Sequence, residues 1–152
     1  MSKPSHDVVR ELIASIQSNQ RFLVATHVRP DGDAIGSVLS MTRVLQRLGK
    51  TADPYCQDPV PAAYEFLPAV QSIRNNATRP GLYDVAVLLD CGEFLRVGEA
   101  LAESIRRIPF QISIDHQPCD LRVRQLAGLI AARQHGRKPK HQRAGEEATR
   151  GS

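Results

Sequence analysis

Phe22-Leu23-Val24-Ala25-Thr26-His27-Val28-Arg29-Pro30-Asp31-Gly32-Asp33-Ala34-Ile35-Gly36-Ser37 decides the fold of this chain. Its first four residues form a short apolar run, as expected of a parallel strand buried on both faces. Pro30 and Gly32 make the next segment a loop. Asp33 is placed to cap a helix from Ala34 to Leu48, with Ile35, Val38, Leu39, Thr42, Leu45 and Leu48 along one side. Gly49 follows as a C-terminal cap. Strand, polar loop and helix in this order are the start of a βαβ unit.

The flanking sequence repeats the alternation. Upstream, Val9, Leu12, Ile13 and Ile16 recur at helical spacing over residues 8–20, with Ser5 or Asp7 as cap. Downstream, a short strand is expected near Thr51–Cys56. Pro59, Pro61 and Pro68 then break the chain around a small helical piece near Ala62–Leu67. Asp84-Val85-Ala86-Val87-Leu88-Leu89-Asp90 is the clearest strand of all. Residues 98–107 read as a helix with Leu101, Ala102 and Ile105 inward, and Phe110–Ile114 as another strand ending at Asp115-His116. The fold class is therefore α/β, a parallel sheet flanked by helices with right-handed crossovers. Ligands of such sheets lie beyond the carboxyl ends of the strands. Three strands end there in polar residues, which gathers His27, Asp31, Asp33, Asp90, Asp115 and His116 at one edge.

Carboxylates at short range disfavour joint ionisation, and divalent cations relieve that repulsion. Carboxylates with one or two imidazoles suit Mn²⁺, Mg²⁺ or Fe²⁺, with Zn²⁺ and Co²⁺ as further options. Two rival readings of the loop fail. An EF-hand counted from Asp31 would need Asp or Asn where Ile35 stands and Glu where Thr42 stands. A P-loop would need a lysine before Ser37, where Gly36 stands. Pro-Asp-Gly-Asp is also an ordinary turn, and each of His27, Asp90 and Asp115-His116 has a bland reading alone; their common edge argues for a site.

The chain has 152 residues with 41% hydrophobic and 5% aromatic residues and no Trp, so aliphatic packing must dominate the core. Its longest apolar runs, about five residues, fall far short of the roughly 20 that a membrane helix needs. The N-terminus has no apolar run of the secretory type, so a cytoplasmic protein is expected. Cys56, Cys91 and Cys119 form no Cys-x-x-Cys pair and read as free thiols. The net charge of +4 is unevenly spread: residues 122–152 hold eight Lys or Arg against two Glu, a net of +6, leaving the rest at −2. The expected organisation is a metal-binding domain over 1–120 and a basic, poorly ordered tail over 121–152. That tail lacks apolar periodicity and reads as a domain cut short or as a sequence that has lost its original reading frame.

Thr26–Ser37, Leu89-Asp90-Cys91-Gly92 and Ile114-Asp115-His116-Gln117-Pro118 resemble the three motifs of the DHH phosphoesterase superfamily. The resemblance covers residues 8–120 and is similar to the RecJ-like branch of bacterial oligoribonucleases and phosphoadenosine-phosphate phosphatases. It implies a DHH-type N-terminal domain and a two-metal site, Mn²⁺ first among the candidates. His27 and Asp31 would hold one ion, Asp33 and His116 the other, with Asp90 bridging and Asp115 orienting His116. The implied substrates are short oligoribonucleotides or nucleotide phosphates such as 3′-phosphoadenosine 5′-phosphate. Two departures bear on catalysis. Gln117 stands where the signature has a second histidine beside the substrate phosphate. No candidate for the family's later aspartate ligand follows Asp120, nor does its C-terminal substrate domain. Impaired turnover is therefore expected of this chain. The alternative is an inactive metal- or nucleotide-binding module with an RNA-contacting tail.

Overall fold

The structure is a computed structural model that describes residues 6–76, 82–116 and 119–125, with residue 116 and residues 119–125 as backbone alone. Five strands form one sheet in the order β2-β1-β3-β4-β5. They are β1 (Arg21–Ala25), β2 (Thr51–Tyr55), β3 (Val85–Leu89), β4 (Phe110–His116) and β5 (Cys119–Gln125). The first four are mutually parallel, as the sequence predicts, and β5 pairs antiparallel with β4 from Phe110↔Gln125 to His116↔Cys119. β5 was not anticipated, and it crosses the boundary expected at residue 120. The remainder of the expected tail lies outside the described residues.

The period-2 geometry of strands sorts the core into two layers. Phe22 and Val24 of β1 and Val85, Val87 and Leu89 of β3 pack with Val38 and Leu45 of helix α2 (Gly32–Arg47). Leu12 and Ile16 of α1 (His6–Ser18) pack on the same side. Leu23 and Ala25, with Ala86 and Leu88, face the other way, onto Leu101, Ala102 and Ile105 of α3 (Glu99–Ile105). Every residue of β3 is buried, which explains its uninterrupted apolar reading. Two side chains that the helical periodicity assigned inward stay out: Ile13 is 48% exposed and Leu48 58%.

Both ends of α2 are set by local chemistry. Asp31, rather than the expected Asp33, is the N-cap, and its side chain accepts from the Ala34 N–H at 3.0 Å. Asp33 falls inside the first turn, and the helix starts two residues earlier than expected. At the other end Gly49 N–H donates to Gln46 O and Lys50 N–H to Leu45 O, each at 3.0 Å. That pair is a Schellman closure, and it requires the left-handed φ of +75° at Gly49. Register is fixed at the opposite end of the sheet. Asp84, just before β3, accepts from the Arg21 backbone N–H at 3.0 Å and from Arg21 Nη2 at 2.9 Å, which pins the start of β1 to β3. Pro54 lies in β2, where its ring cannot interrupt a ladder because β2 is an edge strand.

Candidate metal centre

The strand order reverses between β1 and β3: β1 continues outward to β2, while β3 continues to β4. A crevice forms at the carboxyl ends of strands at such a switch point. Thr26 bridges the two central strands there, its hydroxyl donating to Leu89 O at 2.8 Å. Its neighbour His27 is only 6% exposed. His27 Nδ1 lies 2.8 Å from Val28 O, an acceptor, so Nδ1 donates there and Nε2 is the ring nitrogen turned to the cluster. Nε2 faces Asp90 Oδ2 at 3.8 Å, too long for a hydrogen bond.

Asp90 is turned toward this position by its own backbone. It follows the last residue of β3 with φ of +55°, in the left-handed region that costs a non-glycine residue strain, though Asp tolerates it better than most. Its N–H donates to Ile114 O at 3.0 Å, so the turn is tied to β4. Asp115 reinforces the same turn by accepting from the Gly92 N–H; Gly92 itself has φ of +54°.

His27, Asp31 and Asp90 each offer one donor atom, and these atoms all lie within 4.8 Å of one another. Donors of a small divalent ion sit about 2.0–2.2 Å from it, so they are separated by at most roughly 4.4 Å. The three side chains are close enough for their donor atoms to be drawn onto one such ion. The site also suits the α2 terminus, where Asp31 and Asp33 meet the positive end of the helix dipole. Asp33 is outside the triad but lines a groove of about 670 Å³ with Asp90 and Asp115, a volume in the range of small-molecule sites. His116 ends β4 at the same edge, with its backbone opposite Cys119. Gln117 lies outside the described residues.

Two thiols lie behind the cluster. Cys56 Sγ donates to His27 O at 3.6 Å, and Cys91 Sγ to Leu89 O at 3.4 Å. Burial pushes Cys56 up to about 11 and Cys91 up to about 12, so both are protonated at neutral pH. A buried protonated thiol is neither a nucleophile nor a good ligand. The free-thiol expectation thus holds for these two. The contributions of Thr26 and Gly92 were not foreseen, because each acts through a backbone group some distance along the chain. For Asp31 the signal was there: it lies three residues before Ala34, but so placed it competes with Asp33 for the same role.

The model of the DHH family N-terminal domain matches residues 21–137, three-quarters of the chain and past the boundary expected at 120. The chain belongs to the DHH family. It is 34% identical over 119 residues to the bifunctional oligoribonuclease and PAP phosphatase NrnA of Thermus thermophilus, a match covering 78% of the chain and 34% of that protein. The chain thus spans about a third of the length of this curated relative. Among solved structures, an exopolyphosphatase-related protein from Bacteroides fragilis shares the fold with a TM-score of 0.68 at 22% identity, covering 76% of the chain and 36% of that protein. Among the described residues, no helix of this DHH-family chain is long and apolar enough to cross a membrane.

Proposed function

We propose that this DHH-family chain is a divalent-metal-dependent phosphoesterase acting on short oligoribonucleotides or nucleotide phosphates. The observation that carries this reading is the His27–Asp31–Asp90 triad at the switch point, with His27 Nε2 facing a carboxylate too far away to hydrogen-bond. In this reading His27 and Asp31 hold one ion and Asp33 and His116 a second, with Asp90 shared between them; Mn²⁺ is the first candidate and Mg²⁺ the next. When bound, the ions supply Lewis acidity toward water and the phosphate oxygens. The chain's own residues do the rest. Val28 O fixes the His27 tautomer, a role that outer groups commonly play for metal-bound imidazoles. Asp115 holds the Asp90 turn through Gly92, so it acts as a positioning residue. Gln117, read from its place in the third motif alone, would be an amide donor for a phosphate oxygen. The groove beside the cluster has room for a nucleotide, and the Thermus thermophilus relative named for oligoribonuclease and PAP phosphatase activity supports that substrate class.

The test is Mn²⁺-dependent hydrolysis of diadenylate and of 3′-phosphoadenosine 5′-phosphate by the purified chain, with Asp31→Asn as control. Metal-dependent hydrolysis that Asp31→Asn abolishes is the expected result. Mn²⁺ binding with no hydrolysis of either compound would instead favour the inactive binding module. Slow turnover fits the reading; equal turnover by the wild type and Asp31→Asn would exclude it.

A further inference from the structure

The groove at the acidic cluster continues along α2. Gly36 and Ser40 line it, and both also line a second groove of about 520 Å³. This second groove runs past Leu39, Arg43, Val44 and Arg47 to Leu67 and Pro68. The sign of the charge therefore reverses along one helix. Carboxylates stand at its start and two arginines on its outer face, four residues apart and hence one above the other. Among the described residues neither arginine is in an ion pair, and both are exposed. The helix dipole accounts for a cation at Arg47, in the last turn, but not for Arg43 before it. Between the arginines Val44 is 53% exposed, an apolar side chain left uncovered in the groove.

We propose that this second groove is a phosphate track for a single-stranded oligonucleotide whose end lies at the acidic cluster, with Arg43 and Arg47 setting preference for chain length. The inference rests on the phosphoesterase reading of that cluster. At a rise of about 1.5 Å per residue, Arg43 lies about 15 Å and Arg47 about 21 Å along the axis from Asp33. A stacked strand advances about 3.4 Å per nucleotide and an unstacked one farther, so the arginines come within reach roughly three to six nucleotides from the cluster. Guanidinium forks suit phosphate oxygens, while Leu39, Val44 and Leu67 offer an apolar bed for sugars and bases. A stacked dinucleotide, about 7 Å long, is too short to reach either arginine.

The test compares binding of fluorescein-labelled, hydrolysis-resistant phosphorothioate diadenylate and hexa-adenylate by anisotropy, in Mn²⁺ and over a salt series. The wild type should bind hexa-adenylate the more tightly. Arg43→Gln/Arg47→Gln should weaken hexa-adenylate about tenfold and lower its salt slope by about 1.4, two phosphates' worth for a single strand. Arg43→Lys/Arg47→Lys should restore most of the slope. Hexa-adenylate bound no better than diadenylate by the wild type would overturn the track. So would an unchanged slope in the glutamine variant, with its thermal melt intact. A change of oligomeric state in that variant by sedimentation would assign the face to a second copy of the chain, and would equally overturn it. Should the double variant fail to fold, each single substitution carries the same measurement. Diadenylate hydrolysis reports separately: its absence with arginine-dependent hexa-adenylate binding sinks the phosphoesterase reading, not the track.

Discussion

Asp31 is asked to do two things, and two substitutions separate them. Its side chain accepts from Ala34 N–H at 3.0 Å as the cap of α2, and it contributes a donor atom to the triad. Asn caps a helix about as well as Asp, whereas Ala does not, at a cost of about 1 kcal/mol. For a chain of this size about 1 kcal/mol corresponds to roughly 2–4 °C in Tm. Without metal, Asp31→Asn should melt close to the wild type, since the lost attraction to the helix dipole, about 0.3–1 kcal/mol, opposes the relief of repulsion from neighbouring carboxylates. Asp31→Ala should melt about 2–4 °C lower than Asp31→Asn. With Mn²⁺ the order changes. Saturation at about 100 times Kd stabilises the wild type by about 2.7 kcal/mol, and both variants should lose most of that increment. Thermal denaturation followed by circular dichroism, on the wild type and both variants with and without Mn²⁺, reads all six melting temperatures. If the Ala and Asn variants melt together without metal, the capping assignment is wrong. If either keeps the wild-type Mn²⁺ shift, Asp31 is not a ligand.

Other expectations follow from single contacts. Asp90→Asn keeps a side chain that tolerates φ of +55°, so calorimetry should show Mn²⁺ binding weakened with folding intact; unchanged affinity and stoichiometry would reject a shared ligand. Cys56 and Cys91 have folded-state values raised from 9.0 to about 11 and about 12, so the folded chain holds protons that the unfolded chain releases. Their contribution is complete below pH 9 and is lost as pH rises toward 12; chemical denaturation across that window should show stability falling, and a Cys91→Ala variant should fall less steeply. Gly49→Ala should cost about 1 kcal/mol by straining the left-handed closure of α2, measured by urea titration with an unchanged slope. An equally stable Gly49→Ala protein would mean that the closure contributes nothing.

The elements that read most clearly in the sequence are those buried on both faces. β1 and β3 are central, so nothing polar interrupts them, and α2 carries its apolar stripe against both. The candidate site was legible for the same reason, since its residues follow those strands directly. β5 was not. Cys119-Asp120-Leu121-Arg122-Val123-Arg124-Gln125 alternates apolar and polar residues, as an antiparallel strand can, but its two arginines merge with the basic residues downstream and its period spans only two aliphatic side chains. The helix caps were ambiguous because Asp31 and Asp33 flank one glycine, and either spacing satisfies a cap rule. Only the backbone at Asp31, extended with ψ of −175°, decides between them.

The β1–β3 pairing would give a metal-holding triad a part in folding as well. His27 and Asp31 sit a few residues apart on one βα turn and can approach one another as soon as that turn forms. Asp90 arrives from about sixty residues farther along, and only when β3 has docked beside β1 in the register that Arg21 and Asp84 enforce. An ion held by all three is therefore a removable crosslink across that long loop. Closing such a loop costs the unfolded chain an entropy that grows only slowly with its length, so the same ion could clip a loop of twice the size at about 0.6 kcal/mol more. Insertions between β2 and β3 should accordingly be tolerated far better than a one-residue slip of β3 against β1, which would carry Asp90 away from His27 and turn the whole strand over.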